Sequence, residues 1–267
     1  MHKSYIENRK VVIVGAGSVG ATFAYALAQN GVGDEIVMVD SNQELMEGQV
    51  YDLAHGLPFF PPIKINTGSK EDYRDASVIV ITAGAKQKPG ETRINLLKRN
   101  ALIMENIVDD INEMQSQAVV VVVSNPVDIL TKIAIGRSSL PPGKVIGSGT
   151  VLDSARFRYF ISRNCKVDVR NVHAYILGEH GDTEFAAWSM THIGGVPIRN
   201  FCKTCEHCDN WEGVKKRIEQ NVRGSAYHII DYKGSTYFAV GMALVRITEN
   251  ILKNQRSVMT VSTMLNG

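Results

Sequence analysis

The sequence has little net charge and few cysteines, and it lacks long apolar runs. Its 267 residues carry 29 Lys+Arg against 27 Asp+Glu, a formal net charge of +2, so no basic surface for nucleic acid is expected. The longest apolar run, Ala118–Val123, is far too short to span a bilayer. The stretch Met1–Lys10 is polar and charged, unlike a secretory signal, and four cysteines fit a reducing compartment. These features predict a cytoplasmic globular protein that binds neither nucleic acid nor membranes.

Short apolar runs alternate with helical patterns in the first half of the chain. The runs predict strands buried on both faces of a parallel sheet, at Lys10–Val14, Glu35–Val39, Ser77–Ile81 and Ala118–Val123. Helices are predicted over Ser18–Gln29 and from about Arg93 to Met114. This alternation indicates an α/β fold with a doubly wound parallel sheet. Because the texture changes near Gly147–Gly149, we expect one domain over residues 1–148 and a second over 149–267.

A glycine-rich motif follows the first predicted strand and opens the first helix. In Gly15-Ala-Gly17-Ser-Val-Gly20, the first glycine permits a tight turn, the second admits a pyrophosphate, and the third lets helix and strand pack closely. Asp40 ends the second strand, 20 residues past the last glycine, where a carboxylate binds ribose hydroxyls. No arginine follows it, so the motif predicts NAD binding rather than NADP binding.

Two groups of residues in the second half suit acid–base chemistry on a carboxylate substrate. Asp153 and Arg156 share one face if their segment is helical, and a guanidinium there can hold a carboxylate through two hydrogen bonds. A surface ion pair is the alternative interpretation. His180 lies between glycines and acids, and an imidazole oriented by Asp153 can pass protons in both directions. A structural histidine is the alternative here.

Two loops follow predicted strands, where ligands bind in open α/β sheets. The segment Gly84–Arg93 has the composition of a mobile surface loop and is interpreted as a lid that delivers Arg93 to the substrate. A flexible loop without function is the alternative. Ser124-Asn125-Pro126 ends another buried strand, where an amide can orient a carbonyl or hydroxyl group.

Together these motifs closely resemble NAD-dependent L-lactate dehydrogenase of the bacterial, fructose 1,6-bisphosphate-activated type, within the lactate/malate dehydrogenase superfamily. The match runs in register from about Lys10 to Gly267. The resemblance implies a Rossmann-type NAD-binding domain followed by an α+β substrate domain, and a homotetramer. It also implies reversible hydride transfer between the nicotinamide and pyruvate or L-lactate, the final step of lactate fermentation.

The resemblance assigns roles to individual residues. His180 would exchange a proton with the substrate oxygen, Asp153 would stabilise its imidazolium, and Arg93 would polarise the carbonyl. Substrate binding is implied for Gln87, Asn125, Arg156 and Thr236. Contacts with NAD are implied for Gly15, Gly17, Val19, Gly20, Asp40, Tyr73, Gly84, Ala85, Asn106, Val123, Ser124, Asn125 and Ser148.

Gln87 separates two close relatives. Malate dehydrogenases resemble this chain but place an arginine at that position, which neutralises the second carboxylate of oxaloacetate. A neutral amide would leave that carboxylate buried and unpaired, at a cost of several kcal/mol. Lactate is therefore favoured, with malate dehydrogenase as an alternative.

A second anion site is expected at Arg158 and His173. Arg158 lies about 200° around a helix from Arg156, by the ~100° step per residue. An odd separation along one extended strand would place His173 and His180 on opposite faces. Both Arg158 and His173 should therefore point away from the catalytic groups. The resemblance implies that they bind fructose 1,6-bisphosphate, an allosteric activator, at a two-fold subunit interface.

Two features depart from the resemblance. Cys202, Cys205 and Cys208 have ligand-like spacing, but a fourth ligand is wanting where Glu212 stands, so an exposed loop without metal is expected. The resemblance also implies further strands and a long final helix beyond Thr260–Gly267, so the second domain is expected to be incomplete at its C-terminus. A noncatalytic NAD-binding fragment is the corresponding alternative to an enzyme.

Overall fold

The computed structural model describes residues 9–86, 90–141, 143–205, 207–208 and 210–265, which divide into two compact units. The first unit comprises the chain up to Ser148 together with Tyr237–Val258 and the residues from Ser262 onward. The second comprises Gly149–Thr236 and Met259–Val261. The chain thus leaves the first unit after Ser148, and residues 237–258, which the sequence assigns to the second domain, lie in the first unit.

The first unit is built on a six-stranded sheet whose strands all run parallel. The strands are β1 (Lys10–Val14), β2 (Glu35–Val39), β3 (Lys64–Thr67), β4 (Val78–Ile81), β5 (Val119–Val122) and β6 (Val145–Gly147). Their order is β3-β2-β1-β4-β5-β6, so the strand order reverses between β1 and β4, the place where such sheets bind ligands. The predicted doubly wound fold is confirmed.

The α-helices are α1 (Ser18–Gln29), α2 (Gln43–His55), α3 (Arg93–Glu113), α4 (Val127–Arg137), α5 (Val151–Cys165), α6 (Ile198–Thr204), α7 (Trp211–Lys233) and α8 (Phe238–Leu252). The two helices predicted from the sequence, α1 and α3, begin and end at or within one residue of the predicted positions. Strands and helices of the first unit enclose a core in which Ile79, Val120, Met104 and Leu130 are at most 1% exposed. Helix α8 packs on α1, where a Cβ at Gly241 would lie 3.1 Å from Cγ2 of Thr22.

The second unit combines helices α5, α6 and α7 with very short antiparallel strands. These are β7 (Val172–His173), β8 (Ile176–Leu177), β9 (Phe185–Ala186), β10 (His192–Ile193) and β11 (Val196–Pro197), in the orders β11-β10-β7 and β8-β9. Its core includes Phe157, Ile161, Val172 and Ile218, all buried. The expected α+β character of this half is confirmed.

Two sequence expectations about this unit were wrong. His173 and His180 are not joined by one extended strand, because Val172–His173 and Ile176–Leu177 are separate strands in different sheets. Their odd spacing therefore does not determine which faces they occupy. The cysteine loop is not fully exposed, because Cys202 and Cys208 are buried in the core of the unit. In the part of the chain that the structure describes, no helix is long and apolar enough to cross a membrane.

Candidate active site

The glycine turn between β1 and α1 combines two tight positions with one open position. Gly15 has a φ of +109°, and a Cβ there would lie 2.7 Å from the backbone nitrogen of Ala83. A Cβ at Gly20 would lie 1.9 Å from the carbonyl oxygen of Gly15, so α1 can approach the turn only without a side chain. A Cβ at Gly17 would have no neighbour within 4 Å. Gly15 and Gly20 therefore serve packing, whereas Gly17 faces open space.

The start of α1 and the carboxylate of Asp40 together fit a dinucleotide. Gly17 is the N-cap and provides no side-chain cap, so the first N–H groups of α1 and its positive dipole end remain available to phosphates. Asp40 accepts hydrogen bonds from the N–H groups of Ala16 at 2.6 Å and Asn42 at 2.8 Å. These bonds fix the carboxylate beside the turn. Each carboxylate oxygen retains acceptor capacity for ribose hydroxyls.

Asn100, on α3, connects the loops that follow β4 and β5, and the sequence reasoning missed it. Its Oδ1 accepts a hydrogen bond from the N–H of Ala85 at 2.8 Å, and its Nδ2 donates to the carbonyl of Asn125 at 3.2 Å. The side chain is buried in register with Met104, Val108 and Ile111. A polar residue within the apolar stripe of an amphipathic helix was the signal that could have identified it.

Two described residues of the predicted lid, Lys86 and Glu91, are bonded to Arg99 on α3. Arg99 donates two hydrogen bonds to the carboxylate of Glu91, both at 2.8 Å, and a third to the carbonyl of Lys86 at 2.9 Å. Thr92 caps α3 by accepting from the N–H of Asn95, which leaves Arg93 exposed as the first residue of the helix. Gln87, the residue expected to distinguish substrates, lies outside the described residues.

The other residues expected to contact NAD differ in exposure. Asn106 is exposed on α3, Val19 and Val123 are half-buried, and Ser148 donates from its N–H to the carbonyl of Val122 at 2.8 Å. Gly84 and Ser124 lie in the loops after β4 and β5. Tyr73 differs from these residues, because it is 2% exposed and packs inside the hydrophobic core of the first unit.

In the second unit, the first turn of α5 contains an acid that bonds an arginine and a histidine. The predicted shared face of Asp153 and Arg156 is confirmed, since Nη1 of Arg156 lies 2.8 Å from Oδ1 of Asp153. The other carboxylate oxygen lies 2.6 Å from Nδ1 of His180. Asp153 is only 2% exposed. His180 lies in the bend after β8, between Gly178 with φ +92° and Gly181 with φ +143°.

The environment of His180 favours its protonated form. The hydrogen bond that His180 donates to the carboxylate of Asp153 raises the pKa of His180, and burial opposes this effect. Fixing Nδ1 against a carboxylate sets the orientation of the ring and the tautomer of its neutral form. The pair therefore has the chemistry of an oriented proton donor and acceptor.

Glu184 is a second residue that sequence reasoning missed. It is 4% exposed, and its carboxylate lies within 4.8 Å of those polar atoms of Asp153 and His180 that could bind a metal. Burial, followed by repulsion from Asp153, raises the pKa of Glu184 to about 7. Arg223, on α7, donates to the backbone carbonyl of Glu184 at 3.0 Å. The only sequence signal for Glu184 was its position four residues after His180 in an acid-rich bend.

The remaining predicted residues of this unit lie in three places. Thr236 is half-buried in the segment between α7 and α8. Arg158 donates from Nε to the carbonyl of Ala174 at 3.0 Å, and its guanidinium lies 5.4 Å from the ring centroid of Tyr175. His173 is exposed on β7.

A parallel nucleotide-binding sheet in one unit and an Asp–His pair beside an arginine in the other are the features of a dinucleotide-dependent dehydrogenase. Residues 9–147 match the lactate/malate dehydrogenase NAD binding domain, and residues 150–267 match the alpha/beta C-terminal domain of the same family. The chain belongs to the lactate/malate dehydrogenase family, and NAD is its cofactor.

The chain is similar to several proteins named L-lactate dehydrogenase. It is 57% identical to one from Treponema denticola over 98% of this chain and 83% of the relative. It is 49% identical to one from Acetivibrio thermocellus over 97% of this chain and 81% of the relative. Among solved structures, a lactate dehydrogenase from a Medee basin deep-sea metagenome library has a TM-score of 0.94 at 46% identity, over 97% of this chain and 82% of that one. The minor L-lactate dehydrogenase of Enterococcus mundtii has a TM-score of 0.92 at 44% identity, with the same coverage.

Proposed function

We propose that this chain is an L-lactate dehydrogenase, which reduces pyruvate to L-lactate with NADH and catalyses the reverse reaction. The observation that carries the proposal is the contact of Asp153 with both His180 and Arg156, at 2.6 and 2.8 Å. A 2-oxo acid needs a proton donor for its carbonyl and a cation for its carboxylate. The identity to L-lactate dehydrogenases over nearly the whole chain supports the same assignment.

The proton moves through His180 in the proposed mechanism. When bound, NADH would supply a hydride to C2 of pyruvate. The imidazolium of His180 would give its proton to the carbonyl oxygen, so that the products are L-lactate and NAD⁺. With Nδ1 held by Asp153, Nε2 is the nitrogen that exchanges this proton. The carboxylate stabilises the imidazolium that must form again when lactate is oxidised.

The arginines act on the charges of the substrate. Arg156 uses one of its five N–H donors for Asp153, and the others can hold the substrate carboxylate. Arg93 is assigned to the polarised carbonyl, Asn125 to a hydrogen bond with the reacting oxygen, and Thr236 to the border of the substrate methyl group. Gln87 is assigned to the selection of pyruvate over oxaloacetate.

Three further properties belong to the proposal. Fructose 1,6-bisphosphate binds at Arg158 and His173 as an activator, and the active form is a homotetramer. The proximity of Arg158 to Ala174, the neighbour of His173 in the chain, supports a shared anion site. The free thiols of Cys165, Cys202, Cys205 and Cys208 suit a reducing cytoplasm.

The test is oxidation of NADH by this chain with pyruvate and with oxaloacetate, each with and without fructose 1,6-bisphosphate. Pyruvate is expected to be the better substrate. Activity mainly with oxaloacetate would favour a malate dehydrogenase instead. NADH binding without turnover of either substrate would favour the noncatalytic alternative.

The role of His180 is tested by a pair of histidine variants. His180→Asn should lower kcat for pyruvate by about 10²–10⁴-fold, the usual contribution of a general acid, while NADH binding measured by fluorescence persists. His228→Asn, at an exposed position on α7, is the matched control and should retain full activity. Equal activity of the two variants would remove His180 from the mechanism.

A further inference from the structure

All four cysteines of the chain lie in the second unit and converge there. Cys165 is the last residue of α5, Cys202 belongs to α6, and Cys208 lies in the segment before α7. The sulfur atoms of these three residues lie within 4.8 Å of one another, and all three side chains are buried. The fold therefore brings Cys165 close to the motif formed by Cys202, Cys205 and Cys208.

Cys205 completes the set of four thiols. It caps the C-terminus of α6, is half-buried, and packs against the core that contains the other three, although its sulfur lies outside their 4.8 Å group. The sequence alone had placed the missing fourth ligand at Glu212 and had therefore predicted no metal. Cys165, far upstream in the chain, occupies that role in space.

The spacing of the sulfurs suits a single tetrahedral ion. Zinc–thiolate bonds of about 2.3 Å place the sulfurs of a four-cysteine site about 3.8 Å apart. The three buried sulfurs lie within 4.8 Å of one another, and those of Cys202 and Cys208 are 2.8 Å apart, so an ion between them requires these two to separate by about 1 Å. An iron–sulfur cluster needs its cysteines farther apart, because its inorganic core must fit between them. Among the divalent ions that proteins bind, zinc is the one most typical of four thiolates.

The side-chain amide of Asn164 donates toward two of the sulfurs, as hydrogen-bond donors commonly do toward metal-bound thiolates. The side-chain amide of Asn164 lies 3.7 Å from the sulfur of Cys208 and 4.0 Å from that of Cys165. Arg217, on α7, donates to Oδ1 of Asn164 at 2.9 Å, which fixes the amide and adds positive charge. Such outer contacts orient the ligands of a metal site.

Packing alone explains these residues less well. A buried cysteine can act as a small apolar side chain, but that role does not require cysteine at all four positions of one cluster. The rest of the chain, moreover, contains no cysteine at all.

We propose that Cys165, Cys202, Cys205 and Cys208 bind one Zn²⁺ ion, which links α5 to α6 and to the segment before α7. The ion is structural, because four protein ligands leave no open position for substrate. The site is separate from Asp153 and His180, so its test does not depend on lactate dehydrogenase activity.

The test measures metal content and cobalt spectra of the full chain, purified with a reducing agent. One zinc per chain is expected by mass spectrometry of the metal. Replacement with Co²⁺ should give the near-ultraviolet charge-transfer absorption of thiolate ligands and the strong visible bands of tetrahedral geometry. Absence of both bound zinc and this cobalt spectrum would overturn the proposal.

Serine variants identify the ligands. Cys165→Ser and Cys205→Ser should each weaken zinc binding, measured against a chromogenic chelator, by at least ~100-fold, since loss of an outer contact alone costs 10–100-fold. Cys205 is half-buried beside the surface, so its variant tests the site if Cys165→Ser fails to fold. His207→Gln removes an exposed imidazole between Cys205 and Cys208 and should bind zinc like the unmodified chain. Loss of zinc in His207→Gln but not in Cys205→Ser would overturn the assignment of four thiolates. So would a disulfide between Cys202 and Cys208 in place of a metal.

Discussion

At the scale of single residues, the proposed proton transfer depends on three ionisable groups that lie close together. Asp153 bonds His180 directly and raises the pKa of His180. Glu184 adds a second carboxyl group, whose pKa of about 7 means that it gains its negative charge near neutral pH. His180 therefore titrates next to a neighbour whose charge itself depends on pH.

Glu184→Gln should move the pH profile of pyruvate reduction. In the proposed mechanism pyruvate reduction needs protonated His180, so kcat/KM for pyruvate should fall as pH rises through the pKa of that residue. Ionised Glu184 favours the imidazolium, as Asp153 does, whereas Arg156 opposes it. The glutamine variant lacks this carboxylate, so its alkaline limb should shift to lower pH, as measured by kcat/KM for pyruvate against pH. Arg223 also acts on the charge of Glu184 and is unchanged in the variant.

Glu179→Gln is the matched control for this shift. Glu179 is exposed and accepts a hydrogen bond from Thr183 at 2.8 Å, so its replacement should leave the pH profile in place. A purely structural role of Glu184 would lower activity at every pH without moving the limb. That result would exclude the proposed positioning and charging effect on His180.

At the scale of elements, two glycines in the turn between β1 and α1 have different roles, one in packing and one in ligand binding. Gly20 lies where α1 approaches the turn, and Gly17 lies where a ligand can approach. The same substitution should therefore have different effects at the two positions.

Gly20→Ala should destabilise the first unit, whereas Gly17→Ala should weaken NADH binding. A Cβ at position 20 would lie 1.9 Å from a carbonyl oxygen, so α1 must shift, at a cost of about 1–3 kcal/mol. Gly17 has a φ of −70°, which alanine accepts, but a methyl group would occupy the approach of the pyrophosphate. Urea denaturation and NADH fluorescence titration measure the two effects separately.

Gly48→Ala on α2 provides the control for both variants. No neighbour lies within 4 Å of a Cβ there, so the variant should be as stable as the parent or more so, by about 0.5–1 kcal/mol. Normal NADH affinity in Gly17→Ala would show that the turn does not receive the pyrophosphate.

Elements with long patterns could be predicted from the sequence, and short ones could not. Strand β1 and helix α1 have the predicted bounds, because a continuous β-branched run and an alanine-rich helix with a glycine stop are strong local signals. Strands β7 and β8 are two residues long and were merged into one, because two residues contain no periodicity. Asn100, Glu184 and Cys165 depend on contacts between distant segments, which no local pattern contains.

At the scale of the whole molecule, the two units differ in how they use the chain. The first unit contains the nucleotide-binding sheet. The chain returns to this unit at α8, which packs on α1. The sequence predicted the change at Ser148 from composition but could not predict this return, which depends on tertiary packing. The second unit contains the proposed proton-transfer residues, the cysteine cluster and the proposed effector residues.

The proposed regulation by fructose 1,6-bisphosphate would link the second unit to subunit assembly. Arg158→Gln should abolish activation by the bisphosphate and leave the basal rate with pyruvate unchanged, because Arg158 contacts Ala174 and Tyr175 rather than Asp153. Arg163→Gln is the matched control, since Arg163 is exposed on the same helix, and it should respond like the parent. The measurement is the initial rate at subsaturating pyruvate against bisphosphate concentration, with the molar mass followed by light scattering.

A site at a two-fold subunit interface binds its ligand only in the assembled form, so the bisphosphate must shift the mass toward the tetramer where assembly is incomplete. Activation of Arg158→Gln equal to that of the parent would place the effector elsewhere, and activation of a protein that stays monomeric would exclude an interface site.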